Sequence, residues 1–408
     1  MKTQTAFKIM RIALVAPTQI PARRANTIQV MKMAQALVLL GHQVHLTSPG
    51  DPPAGLDQNA LAQELMRHYG LQEALFSFSE FPVTWLPASP SLRRYDYSLR
   101  AVRWAQQWKA DLFYTRLPQA AALSSRLGIP TIMEIHDLPQ GITGPRLVQL
   151  FARGKGARRL VVVTQALAED LTHLLGVEAQ AEGQPALIVA PDGVDLSRYA
   201  DLPDPAQARL ALGQSSHTSL PLSPERFTAG YTGHLYPGRG GNLLLALAER
   251  LAEITFLIVG GAPQDVARLR DQARQKKLVN VILTGFVPNS ELPLYQAACD
   301  ILLMPYQRRV QASSGGDISR YLSPMKLFEY LACQRPIISS DLPVLQEVLN
   351  ERNAVIVPTA EIDAWEQAIQ ELRQNPARGQ KLAAQARLDA SRYTWEARAA
   401  RILEGLQV

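Results

Sequence analysis

Several features that would place a chain in a large class are scarce or missing here. Only two cysteines occur in 408 residues, Cys299 and Cys333. Both sit in apolar stretches without zinc-type partner spacing, which excludes a disulfide scaffold and a zinc module and reads as two buried thiols in a reducing compartment. No uninterrupted apolar run reaches the roughly 18 residues that a membrane-crossing helix needs. Residues 1–9 carry two lysines but lack the apolar core and small-residue cleavage site of a secretion signal, so a cytoplasmic protein is expected. There is no Asp-x-Asp pair, no His-Glu-x-x-His and no Gly-x-Ser-x-Gly, and therefore no ready diphosphate-metal clamp, zinc site or hydrolase elbow.

What is present describes a folded, two-domain chain. Hydrophobic residues make up 47% and charged ones 19%, a balance of neither disordered nor fibrous proteins. The length exceeds what one core normally fills. The formal charge of +6 is uneven: residues 1–200 hold 20 Lys and Arg against 15 Asp and Glu, a surplus of +5, whereas residues 201–408 hold 22 against 21. Anionic lipid, a phosphorylated substrate or nucleic acid would each answer that surplus. Without a long basic block or a nucleic-acid motif, nucleic acid is not expected as a partner. Arg93-Arg94 and the stretch from Arg100 to Lys109, with Trp104 and Trp108, interleave cations and aromatics, so an anionic membrane surface is a candidate partner. A core helix with solvated arginines accounts for the same pattern.

Apolar periodicity predicts a strand over 10–16, a helix over 28–40 stopped by Gly41, and a strand over 42–47. The alternation continues with strands at 111–114, 131–135, 160–163 and 186–190 and a helix at 118–127. A Pro-, Ser- and Asp-rich stretch, 196–224, reads as a linker or exposed excursion. A second series follows, with strands at 227–231, 255–259, 280–283, 301–304, 336–339 and 354–357. Helices are expected at 264–275 and 324–333. The fold class is therefore α/β: two doubly wound Rossmann-like domains facing across a cleft, one over 1–195 and one over 225–390, with a last helix in 391–408 completing the first.

Ligands of such sheets collect at the carboxyl ends of strands, which singles out four places. After the strand at 227–231 comes Tyr231-Thr232-Gly233-His234-Leu235-Tyr236-Pro237-Gly238-Arg239-Gly240-Gly241. Its glycines can admit a phosphate to the backbone and Arg239 can close over it, or the loop is simply a tight turn. In Ser323-Pro324-Met325-Lys326-Leu327-Phe328-Glu329-Tyr330, Ser323 is a suitable N-cap and Pro324 a suitable first helical residue. The helix start would then offer amides to a diphosphate, aided by Lys326. Glu329, one turn on, can accept from a ribose diol or pair with Lys326 at i,i+3. His136, in Glu134-Ile135-His136-Asp137, is suited to a sugar hydroxyl, a phosphate or a base role, or is a satisfied structural histidine. Arg116 carries the same ambiguity. Arg23, Arg24 and Asn26, ahead of the first helix, form a cleft wall or an exposed basic loop.

These segments, in this order, resemble the retaining glycosyltransferases of family 4, which have the GT-B fold. Besides those quoted, the resemblance is carried by Arg23 to Ala34, Tyr114-Thr115-Arg116, Pro191-Asp192-Gly193-Val194-Asp195, Gly285-Phe286-Val287-Pro288, Asp300 to Tyr306 and Arg335 to Asp341. It implies a donor diphosphate contacted by the loop from Gly233 to Gly240, with Arg239 as its basic residue and His234 standing where relatives usually carry a first arginine. It further implies base contacts at Phe286 and Val287, donor contacts along Ser323, Pro324, Lys326 and Leu327, a ribose contact at Glu329 and an active-site role for His136. Of the family's two glutamates spaced eight apart, Glu329 matches the second; the first position holds Tyr321, and Asp317 is the nearest acidic substitute.

The resulting expectation is a retaining, metal-independent hexosyltransferase. It would use a nucleotide-diphosphate sugar as co-substrate, no cofactor, and a saccharide or lipid-linked acceptor in polysaccharide, lipopolysaccharide or glycolipid assembly. Arg23, Arg24, Asn26 and Arg116 would lie on the acceptor side, and attachment would be peripheral on the inner face of the plasma membrane. A nucleotide-sugar epimerase and a non-catalytic nucleotide-sugar binding subunit are the alternatives.

Overall fold

Short runs of Val, Ile and Leu become the strands of two all-parallel sheets. The computed structural model describes residues 9–50, 58–72, 76–81, 90–176, 184–214, 220–312, 315–359 and 361–406. It divides into two units, Met1–Pro191 with Trp395–Val408, and Asp192–Thr394.

The first unit holds β1 (Arg11–Val15), β2 (Gln43–Pro49), β3 (Ser77–Phe81), β4 (Leu112–Thr115), β5 (Thr131–Ile135), β6 (Ala157–Val162) and β7 (Ala186–Val189). Their order is β3-β2-β1-β4-β5-β6-β7. The chain leaves β1 in one direction and later returns to lay β4 on its other side, so the loops after β1 and β4 part at a switch point. β3 was not anticipated. Its Ser and Glu positions break the apolar run, and as an edge strand it needs to bury less.

The second unit holds β8 (Thr228–Thr232), β9 (Thr255–Val259), β10 (Val281–Gly285), β11 (Ile301–Met304), β12 (Ile337–Ser340) and β13 (Val355–Val357), ordered β10-β9-β8-β11-β12-β13. Its switch point lies between β8 and β11. Alternation along the strands feeds two cores. Leu257, Val259, Leu302 and Met304 join Leu327, Tyr330 and Leu331 of the helix Met325–Cys333 on one face. Phe256, Ile258, Ile301 and Leu303 join Leu244, Leu247 and Trp365 on the other. Helices cover both faces, so successive residues of a strand must all be apolar.

One expectation changes, while the last helix keeps its expected place and the two readings of the Trp104–Trp108 helix narrow to one. The stretch 196–224 is not a linker or exposed excursion: it contains the helix Pro205–Gln214, whose Ala208 and Leu212 are buried in the core of the second unit, and Arg209 binds Asp300 at 2.8 Å. Residues 215–219 of the low-complexity stretch lie outside the described residues. The last helix is Trp395–Leu403, which packs with Ala25–Leu39 in the first unit. Trp104 and Trp108 stack at 5.4 Å, contact His45 and, half-buried, pack against the core of the first unit. Among the described residues no helix is long and apolar enough to cross a membrane.

Candidate active site

In the second unit the loop after β8 is locked to the loop after β11. Gly240, at φ +90°, begins the helix Gly241–Arg250, and a Cβ there would fall 2.2 Å from the Pro305 carbonyl oxygen. Gly233, at φ +128°, leaves room for Lys326: a Cβ would lie 2.9 Å from its Nζ. Only glycine permits both approaches.

Lys326 is buried. Its Nζ lies 3.6 Å from the Tyr231 ring centroid and 5.3 Å from that of Tyr306, and it has no hydrogen-bond acceptor. Burial, then the Arg239 charge, holds this amine well below the usual ammonium range, with Glu329 pulling the other way. Arg239 donates from Nη1 to the Tyr306 hydroxyl at 3.1 Å, while its Nε is buried and unsatisfied. His234 stacks on Tyr236 at 4.8 Å with planes 5° apart, and its buried Nδ1 has no partner. Burial, Arg239 and Lys326 lower the His234 pKa to about 4 against a weaker pull from Asp265, so the ring is neutral at pH 7. Three nitrogens are thus left unpaired beside one switch point. Each unsatisfied buried group costs on the order of 1–3 kcal/mol, a cost an anion would remove.

Glu329 does not pair with Lys326. Its Oε2 accepts from Gln296 Nε2 at 3.1 Å, and the same amide donates to Thr232 Oγ1 at 3.3 Å, bringing the carboxylate to the end of β8. Gln296 is held in turn by the Tyr199 hydroxyl at 2.9 Å.

The helix start differs in detail from the sequence expectation. Pro324, extended at φ −83° and ψ 127°, is itself the capping residue, and the Ser323 side chain makes no cap hydrogen bond. The Leu327 amide is spent on the Pro324 carbonyl at 2.9 Å and its side chain is core, so the amides of Met325 and Lys326 are the ones left by position without an intrahelical acceptor. Val287 is also core, which leaves Phe286, 39% exposed after Gly285 at φ +75°, as the side chain presented at the end of β10. Asp317 staples a loop: Oδ1 accepts from the amides of Val310 at 3.1 Å and Ser319 at 3.0 Å, and Arg309 lies 3.7 Å from the carboxylate. Those amides, against slight desolvation, hold its pKa down. In this structure the carboxylate closes the loop between Val310 and Ser319.

In the first unit the centre is a residue that the sequence reading passed over. Glu134, buried on β5, accepts from Gln29 Nε2 at 2.8 Å and from the Tyr114 hydroxyl, and binds Arg398 Nη2 at 2.7 Å. His136 Nε2 meets the same carboxylate. Desolvation pushes the Glu134 pKa up, but Arg398, His136 and Arg116 outweigh it and hold the group well below the normal carboxylate range. Arg116 donates to Gln29 Oε1 at 3.2 Å and so joins the network. The one sequence signal was an acid inside an apolar strand; nothing local marks Arg398, 264 residues away. Asn26 donates to Thr18 Oγ1 at 3.1 Å, and Arg23 and Arg24 are exposed just before the first helix.

Each unit also matches a protein-family model. Residues 27–198 match Glycosyltransferase Family 4 and residues 226–375 match Glycosyl transferases group 1. The two models together indicate a GT-B glycosyltransferase family. Curated relatives of this chain include the 2-deoxystreptamine glucosyltransferase of Streptomyces kanamyceticus, 26% identical over 68% of this chain and 74% of that protein. A D-inositol 3-phosphate glycosyltransferase of Xylanimonas cellulosilytica is 28% identical over 74% and 67%. Among solved structures, Anabaena HepE in complex with UDP and glucose has a TM-score of 0.71 at 17% identity, covering 97% of this chain and 98% of that one. The sucrose-phosphate synthase of Thermosynechococcus elongatus gives 0.70 at 18%, covering 96% and 97%. The GT-B architecture of two parallel-sheet α/β domains is thereby established.

Proposed function

We propose that this chain transfers a sugar, with retention of anomeric configuration, from a nucleoside-diphosphate donor to a saccharide or lipid-linked acceptor of cell-surface polysaccharide, lipopolysaccharide or glycolipid assembly. The carrying observation is the group of unsatisfied nitrogens on Lys326, Arg239 and His234 at the switch point of the second unit. A diphosphate supplies the missing acceptors, and Glu329, fixed by Gln296, is assigned to the ribose diol. Phe286 is assigned to the base.

In the reaction the bond between the anomeric carbon and the diphosphate oxygen breaks and its electron pair leaves with the diphosphate. Lys326 and Arg239 neutralise that charge in a preorganised, water-poor setting. The acceptor hydroxyl forms the new bond on the face the diphosphate leaves, and its proton passes to the departing phosphate oxygen. His136, oriented by Glu134, is assigned to a substrate hydroxyl. Two protein cations provide the countercharge, so this reading requires no metal.

The test is a calorimetric screen of uridine-, guanosine- and adenosine-diphosphate sugars, followed by acceptor trials and anomer analysis of the product. Binding of one donor that is lost in Lys326→Ala and Arg239→Ala is expected. An inverted product would sink retention, and donor conversion without any acceptor would establish an epimerase instead.

A further inference from the structure

The helix Met325–Cys333 carries an amine and a carboxylate of the donor site three positions apart, Lys326 and Glu329. Side chains at i and i+3 are neighbours on a helix surface, and an acid and a base so placed ordinarily pair. Here they do not. Lys326 Nζ is buried without an acceptor, and among the described residues the one hydrogen-bond partner of Glu329 is Gln296.

Gln296 is fully buried on the helix Leu292–Ala297, and both polar atoms of its amide are in use. Nε2 donates to Glu329 Oε2 at 3.1 Å and to Thr232 Oγ1 at 3.3 Å, while Oε1 accepts from the Tyr199 hydroxyl at 2.9 Å. The two far ends of this chain of contacts are themselves fixed. Tyr199 is buried in the turn Leu196–Tyr199, and the Thr232 amide donates to the Tyr330 hydroxyl at 2.8 Å. The amide of Gln296 cannot turn over, because its carbonyl oxygen would then face a carboxylate. Its neutrality matters as much as its orientation. A lysine or arginine at 296 would neutralise Glu329, and an apolar residue would release it toward Lys326, one turn away. Glutamine grips the carboxylate and leaves its charge intact.

We propose that Gln296 is a positioning residue that keeps Glu329 off Lys326, so that the carboxylate stays available to a ribose hydroxyl and the amine to a diphosphate. The two ligands rest on the donor reading above; the separation of acid from base rests on these contacts alone. Without the amide, an internal pair between Glu329 and Lys326 competes with the donor for both groups.

The experiment measures, by calorimetry on the full chain, binding of inorganic pyrophosphate and of UDP, GDP and ADP beside their 2′-deoxy and 3′-deoxy counterparts. The native chain is expected to bind pyrophosphate, and to bind one ribonucleotide at least about tenfold more tightly than a deoxy counterpart, as a charged hydrogen bond implies. Gln296→Met should weaken pyrophosphate about threefold or more, the scale of a competing ion pair, and remove most of the ribose preference. Gln296→Met/Glu329→Gln should return pyrophosphate to its native affinity, because no carboxylate is left to occupy Lys326, while the ribose preference stays lost. A merely structural defect at Gln296 gives no such recovery. Tyr199→Phe frees the amide without removing it and should move both readouts in the same direction by less. Unchanged pyrophosphate affinity in Gln296→Met, or a loss that the second substitution does not restore, overturns the proposal. The donor reading then still stands if nucleotide binding is lost in Lys326→Ala/Arg239→Ala. A native chain that binds neither pyrophosphate nor any of the nucleotides removes both.

Discussion

Each unit buries an ionisable side chain near the ends of its strands, Glu134 on β5 and Lys326 on the helix Met325–Cys333, and the two are treated in opposite ways. In the first, Glu134 is buried but saturated by Gln29, Tyr114, His136 and an Arg398 guanidinium that is equally buried. In the second, Lys326 is buried with no acceptor, beside an Arg239 and a His234 that each keep an unsatisfied nitrogen. A closed network contributes to holding its own unit together and orients what projects from it. An open one costs stability in the empty protein and regains it when an anion binds. Charge alone does not distinguish a structural group from a binding group; the satisfaction of its hydrogen bonds does.

Removing a basic side chain from each unit should therefore have opposite consequences. Arg398→Met leaves Glu134 buried without its guanidinium partner and is expected to destabilise the protein by about 3–5 kcal/mol in denaturant unfolding. A loss below 1 kcal/mol would show that the network is dispensable. Lys326→Met removes a desolvated amine of similar depth. It should leave stability unchanged or raise it, while donor affinity falls roughly tenfold to a hundredfold, about 1.5–3 kcal/mol. A lowered melting temperature together with intact donor binding would reverse the comparison.

Glu329→Gln tests whether the carboxylate next to Gln296 acts on the donor. It should weaken donor binding by roughly 1 to 3 kcal/mol, and an unchanged affinity would leave the ribose without its assigned partner. The last contrast is in pH dependence and concerns His234. Its pKa is about 4 in the native chain against 6.5 for a free ring. Between those values the unfolded state binds more protons, so stability rises with pH, is complete above pH 6.5, and is lost as pH falls toward 4. The window is worth about 3 kcal/mol at most, and His234→Gln should flatten it. An identical acid slope in the variant would mean that other groups carry it.

The fold was largely legible because its strands are unbroken apolar runs: β5, β9 and β11 match their expected bounds, since burial on both faces leaves no other pattern. β3 and the helix Pro205–Gln214 were missed because the first is an edge and the second lies in a Pro- and Ser-rich stretch whose apolar residues are sparse. At the site, the glycines of the donor loop and the helix starting near Pro324 were visible as local chemistry. Glu134, Gln296 and Arg398 were not, because their importance lies in partners 33 to 264 residues distant.

The sequence by itself therefore determined two doubly wound halves and the kinds of side chain delivered to the strand ends, because periodicity and turn chemistry are local properties. Tertiary structure alone decided which of those side chains are satisfied and which are left open. Lys326 differs from Arg398 in having tyrosine rings and no acceptor around it, and that difference exists only once distant strands have been brought side by side.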